Sequence, residues 1–260
     1  MKKTIAINLF FFCLSFFSCK KESAPVFVDS PVIEAYLKSG DPLRVKISHQ
    51  VAFSSEANYS PENIDSLQLY INVNDSDYRL LPQGGGIYQN AYIARQGETY
   101  RLHFEFGGKQ IIASTKIPSR PVNYTASVTQ ITVPQMGPNV TMPDPVELNW
   151  TNADNSYYLV VVENIASNPV PIHDTTNGPP NRIFRNQPTT SATYEIRPMS
   201  FQYYGWHRLI LFHLNPDYAA LYNSTSNSSQ SLSTPQSDIT NGQGIFTGIN
   251  ADTLMLDVTQ

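Results

Sequence analysis

The chain has 260 residues, with 17 Lys and Arg against 21 Asp and Glu, a formal charge of −4. A mildly acidic chain with scattered charges argues against nucleic acid as a partner. Its only cysteines are Cys13 and Cys19, so the chain beyond residue 19 can form neither a disulfide nor a thiolate metal site.

Lys2 and Lys3 give a short positive region, and Ile5 to Phe17 is almost wholly apolar. A core of about 13 residues suits a signal-peptide h-region and is too short for an ordinary membrane-spanning helix, which needs about 20. The core stops at Phe16-Phe17-Ser18-Cys19. A small residue before Cys at this point is the bacterial lipobox pattern, with Phe16 standing where Leu is usual. The expectation is a signal peptide over 1–18, cleavage before Cys19, and acylation of Cys19 by diacylglycerol and a further chain such as palmitate. Loss of Lys2 and Lys3 takes the charge to −6. The membrane is then a partner through the N-terminal lipid, since no polybasic patch is present.

Residues 19–30 read as a polar tether. Pro31 to Lys38 is strand-like and Ser39-Gly40-Asp41 a turn. Leu43 to Ser48 alternates apolar and polar residues, the pattern of a half-buried strand. Residues 53–64 read as a loop. Ser66 to Val73 alternates again, with Asn74 to Asp77 as a hairpin turn into Tyr78-Arg-Leu-Leu81. Gly84-Gly-Gly86 breaks the chain before strands over Ile87 to Ile93 and Thr99 to Phe106. Gly107-Gly108 marks a hairpin into Lys109 to Ile117. Short strands at this spacing predict a β-sandwich over 31–118.

Prolines punctuate 118–145, and a second β-sandwich is expected over 121–260. Its strands are Tyr124 to Val133, Val146 to Trp150, Ser156 to Glu163, Ala192 to Ile196, Trp206 to Leu214, Gly244 to Gly248 and Thr253 to Val258. Trp150, a short turn and a Tyr-rich strand resemble the fibronectin type III pattern. Asn215-Pro216-Asp217 starts one short helix, 216–223, near the C-terminus. The fold class is therefore all-β: two immunoglobulin- or fibronectin type III-like sandwiches with one short helix. Residues 164–188 hold five Pro and no periodicity, and 224–243 is rich in Ser, Asn and Gln. Long loops on a rigid sandwich are candidate contact surfaces.

Three stretches carry a family resemblance: Val32-Ile-Glu-Ala-Tyr-Leu37 after the lipobox, Gly86-Ile-Tyr88 with Gly97-Glu-Thr-Tyr-Arg-Leu102, and Asn241-Gly-Gln-Gly-Ile-Phe246 preceded by Tyr218 to Tyr222. In this order the chain resembles the Bacteroidota lipoproteins known as domain of unknown function 4249. The resemblance implies two-domain β-sandwich lipoproteins without assigned catalysis, commonly encoded beside TonB-dependent outer-membrane receptors.

No metal site or cofactor is expected. His49, His103, His173, His207 and His213 form no HxH or HxxxH pair. There is no GxSxG or phosphate-binding loop, no SxxK begins beyond the expected cleavage site, and Gly242-Gln-Gly244 reads as a bulge or tight turn. Tyr157, Tyr158, Tyr203, Tyr204 and Trp206 could stack sugars, but neighbouring strand residues face opposite sides, so core packing is the default. The expected function is a non-catalytic, lipid-anchored protein of the outer membrane, facing either side, that docks a TonB-dependent transporter. The alternative is a surface lipoprotein that binds a glycan through exposed Tyr and Trp.

Overall fold

The computed structural model describes residues 29–50, 63–135, 140–172, 178–225 and 238–260. Cys19 and the signal segment lie outside them, as do 226–237 of the second candidate loop and most of the loop expected at 53–64.

The first body is built from β1 (Pro31–Lys38), β2 (Pro42–His49), β3 (Tyr70–Val73), β4 (Ser76–Arg79), β5 (Leu81–Gly84), β6 (Ile87–Ile93), β7 (Thr99–Phe106) and β8 (Lys109–Lys116). The second uses β9 (Val122–Ala126), β10 (Gln130–Thr132), β11 (Val146–Thr151), β12 (Tyr157–Asn164), β13 (Ile183–Arg185), β14 (Thr193–Ile196) and β15 (Gly205–Leu214). Helix α1 (Pro216–Thr225) and the long strand β16 (Gln243–Thr259) follow. Among the described residues the all-β expectation with one short α-helix holds.

The layers are less separate than two sandwiches in series. One sheet runs β13-β12-β15-β16-β1-β2-β6-β5, with β10 also on β16. The sheet β4-β3-β7-β8 closes the first core over it and β14-β11-β9 closes the second. Period-two alternation sends Ile33, Ala35 and Leu37 into the first core and leaves Glu34 and Tyr36 outside. Two-residue turns with positive φ at Asn74-Asp75 and Gly107-Gly108 close the expected hairpins.

β16 joins the bodies. Gln243–Ile249 pairs in parallel with β1, and Ile249–Val258 pairs antiparallel with β15. Phe246 lies in the first core, Leu256 and Val258 in the second. This corrects the boundary expected at 121–260. The chain returns to the first body at Ile239, which is buried in its core, before re-entering the second. The parallel pairing with β1 needs such a return, because parallel neighbours cannot be joined by a tight hairpin.

Other expectations shift for local reasons. Residues 66–69 are not a strand, since the Tyr88 hydroxyl takes the Leu67 N–H (2.9 Å) and donates to the Ile64 carbonyl (2.6 Å). Residues 78–84 split into β4 and β5, which belong to different sheets, with buried Leu80 at the crossing. The strand expected at 124–133 divides likewise, β9 pairing with β11 and β10 with β16. Asn215 does not cap α1 with its side chain. Its Nδ2 donates to Thr115 Oγ1 (3.1 Å) and to the Lys116 carbonyl (2.9 Å), which ties the bodies together.

Gly244 shows why β16 can lie against β1. Its φ is +100°, and a Cβ there would sit 2.0 Å from the Ile33 carbonyl oxygen. The segment is a close backbone approach rather than a simple turn. Gly244→Ala should therefore cost about 3 kcal/mol or more, from a left-handed φ plus displacement of β1. Gly85→Ala, at φ +62° with open space around it, should cost only about 1 kcal/mol. Urea unfolding of both variants checks the ranking, and equal losses would contradict it.

Candidate functional site

The residue β15 turns outward at its start is Trp206, 51% exposed beside buried His207. On the neighbouring strand, Met255 is 43% exposed between Leu254 and Leu256, which contribute to the second core. Trp206 pairs with Asp257 and Arg208 with Met255, so Trp206 and Met255 are diagonal neighbours on one face. Ile165, 37% exposed, completes the cluster, and with Ala166 and Ser167 these side chains line an open depression of about 420 Å³. Clustered apolar side chains at a surface mark interaction sites, whereas isolated ones do not.

The cluster is held from below. The segment expected to be structureless, 164–188, is bonded to the body on both sides of 173–177, which lie outside the described residues. The N–H of Ile165 donates to the Trp206 carbonyl (2.9 Å), that of Tyr204 to Val170 (2.9 Å), and that of Ile172 to Gln202 (3.0 Å). On the far side β13 pairs with β12, and the Tyr203 hydroxyl donates to the Pro180 carbonyl (2.7 Å). Prolines hid this from the sequence, because they break periodicity without preventing edge pairing.

Beneath the patch, Arg182 Nη2 donates to the Ala166 carbonyl (2.6 Å) and to Asn164 Oδ1 (3.1 Å). Asn164 Nδ2 donates to the Tyr204 carbonyl (3.1 Å) and lies 3.3 Å from His207 Nε2. His207 Nδ1 donates to the Gly205 carbonyl at 2.8 Å, so the neutral ring presents Nε2 as acceptor to Asn164. Burial pushes the His207 pKa below its usual 6.5, opposed by the Gly205 carbonyl and Asp257 and reinforced by Arg182.

The other expected residues disperse. Trp150, Tyr158 and Tyr203 are buried. Tyr204 is half-buried with its hydroxyl on the Val133 carbonyl, and Tyr157 is half-buried at the start of β12, seven residues before Asn164. Of this set only Trp206 offers an exposed ring, so no aromatic platform forms. Among the described residues no three His, Cys, Asp or Glu gather as metal ligands. The described end of loop 224–243 is no free surface: Ile239 is core, Thr240 bridges Ile112, and Asn241 Nδ2 donates to the Gln110 carbonyl. Sequence reading missed Ile165 and Met255, although the alternation Leu254-Met255-Leu256 carries the signal that Met255 faces out.

A histidine held neutral stabilises the fold above its unfolded pKa and loses that contribution as pH falls. The His207 contribution is therefore complete above about pH 6.5 and lost as pH falls from there through the lowered folded value. Urea unfolding at pH 7.5 and 5.5 should show a smaller acid loss in His207→Gln than in the unaltered protein. An identical loss would remove His207 from the account.

The family model described as domain of unknown function (DUF4249) matches residues 24–254. No curated protein matches the chain. A crystal structure of chicken CNTN1 FN1-FN3 domains is similar at 12% identity and a TM-score of 0.28, over 75% of this chain. The match spans 62% of that structure's length. With the family match covering nearly the whole described body, the chain belongs to the domain of unknown function 4249 family.

Proposed function

We propose that this protein is a non-catalytic envelope lipoprotein, anchored at the outer membrane through Cys19, whose β body docks a TonB-dependent transporter. The observation that supports this reading is the position of the Trp206 patch along β16. The tether enters the body at β1, whose Val32 pairs with Gln243, while Trp206 pairs with Asp257. At about 3.3 Å per residue, the strand between these points measures roughly 45 Å. The patch thus sits at the end of the body opposite the tether, where an aromatic and a Met side chain are presented away from the anchor. Trp and Met are enriched at protein interfaces, and Trp in particular among the residues that carry their binding energy. Glycan recognition by exposed rings, the second reading, would rest among the described residues on Trp206 and Tyr36, whose β16 partners Asp257 and Thr247 lie well apart along the strand.

Crosslinking in native membranes, purification and mass spectrometry test the proposal. The full chain should bring down a TonB-dependent receptor, and Trp206→Ala/Met255→Ser should lower that yield about ten-fold at unchanged protein level. Cys19→Ala should release the protein from the membrane fraction. Recovery of the unaltered protein alone, against a working control complex, would overturn the docking reading.

A further inference from the structure

We infer that the cleft between the two bodies is a binding site for a neutral saccharide. The cleft encloses about 610 Å³ at the point where β8 hands over to the second body. That volume lies within the roughly 300–1,000 Å³ of small-molecule sites, which favour domain junctions. The inference stands on the cleft alone and does not depend on the docking patch.

Among the described residues, the groups that stitch the bodies together are each used at one end only. Gln96 Oε1 accepts from the Arg120 N–H (3.1 Å) and from Asn250 Nδ2 (3.2 Å), leaving its Nε2 unbonded. Asn215 spends its Nδ2 on Thr115 and Lys116, leaving Oδ1. His213 Nδ1 donates to the Ser119 carbonyl (2.8 Å) while its ring stacks on Tyr158, which leaves Nε2 as a fixed acceptor. All three residues line the cleft. Their unbonded ends are a donor and two acceptors whose directions the fold has already set, so binding would cost little side-chain ordering.

The remaining chemistry narrows the ligand class. Lys116 comes from the first body and Asp154 from the turn before β12 in the second, so the charges of the two walls cancel. A cleft without net charge does not select an ion. Asn155 and Ser119 add amide and hydroxyl groups, and Tyr157 adds a half-buried ring. A sugar hydroxyl donates and accepts together, and a pyranose has an apolar face for an aromatic ring. Matched donors and acceptors around one ring are complementary to that chemistry.

The test uses ligand-observed NMR on the full chain in detergent, with glucose, galactose, mannose, N-acetylglucosamine, maltose and cellobiose as probes. At least one should bind. Lys116→Ala/Asn155→Gly should weaken that binding about ten-fold, the effect of losing one charge-assisted hydrogen bond. Both side chains are exposed and make no hydrogen bond within the described residues, and Gly accepts the φ of +53° at position 155. The variant should therefore melt at the same temperature as the parent, so a loss of binding is not a loss of fold. Trp206→Ala should bind as the parent does. Silence across all six probes overturns the inference. So does binding that survives the cleft variant, or that is lost instead with Trp206→Ala.

Discussion

Everything in this fold depends on one strand belonging to two cores. β16 cannot be satisfied by either body alone: its first half needs the carbonyls and amides of β1, its second half those of β15. A backbone group left unpaired in the interior costs about as much as a lost hydrogen bond, so both pairings must form together. The price of the arrangement falls on glycine. Gly244 lets β16 approach Ile33, and a Cβ at Gly248 would meet the Lys116 carbonyl at 2.6 Å. The polar junction then follows. Gly248 N donates to Thr115 Oγ1, Asn250 Nδ2 to the Pro118 carbonyl, and Arg120 pairs with Asp252, so the segment between the bodies is held along the same strand.

A shared strand also explains where surface chemistry can sit. Alternation along β15 and β16 commits one face to the second core, and the residues of opposite parity must look out. Trp206 and Met255 are such residues, and the 164–172 segment lies beside them because its amides bond to 202–206. The patch and the cleft are thus consequences of the same sheet, one at its end and one at its waist. Buried His207 and Asn164 supply the polar support that a proline-rich segment cannot supply for itself.

Much of this was legible in the sequence because period two is a local signal. The strands of the first body and the turns at Asn74-Asp75 and Gly107-Gly108 follow from alternation and from residues that accept positive φ. The motif glycines and tyrosines of the family read physically once placed. A Cβ at Gly86 would lie 1.9 Å from the Ile47 carbonyl, Tyr88 pins 64–67, and Tyr100 donates to Glu98 beside Gly97. What was not legible is long-range. Nothing local tells that Gln243–Gly248 pairs with Val32–Leu37, about two hundred residues earlier, or that strands β4 and β5 part company at Leu80. The site was half legible. Trp206 stood among the candidates, but its partners Ile165 and Met255 come from other strands and segments, and only the register of β15 on β16 brings them together.

The most direct test of the shared-strand account is calorimetric unfolding of the purified protein. Two cores coupled through β16 should melt in one transition, with calorimetric and van't Hoff enthalpies equal. Two resolved transitions, each with the enthalpy of one body, would show that the cores unfold independently and that β16 does not join them.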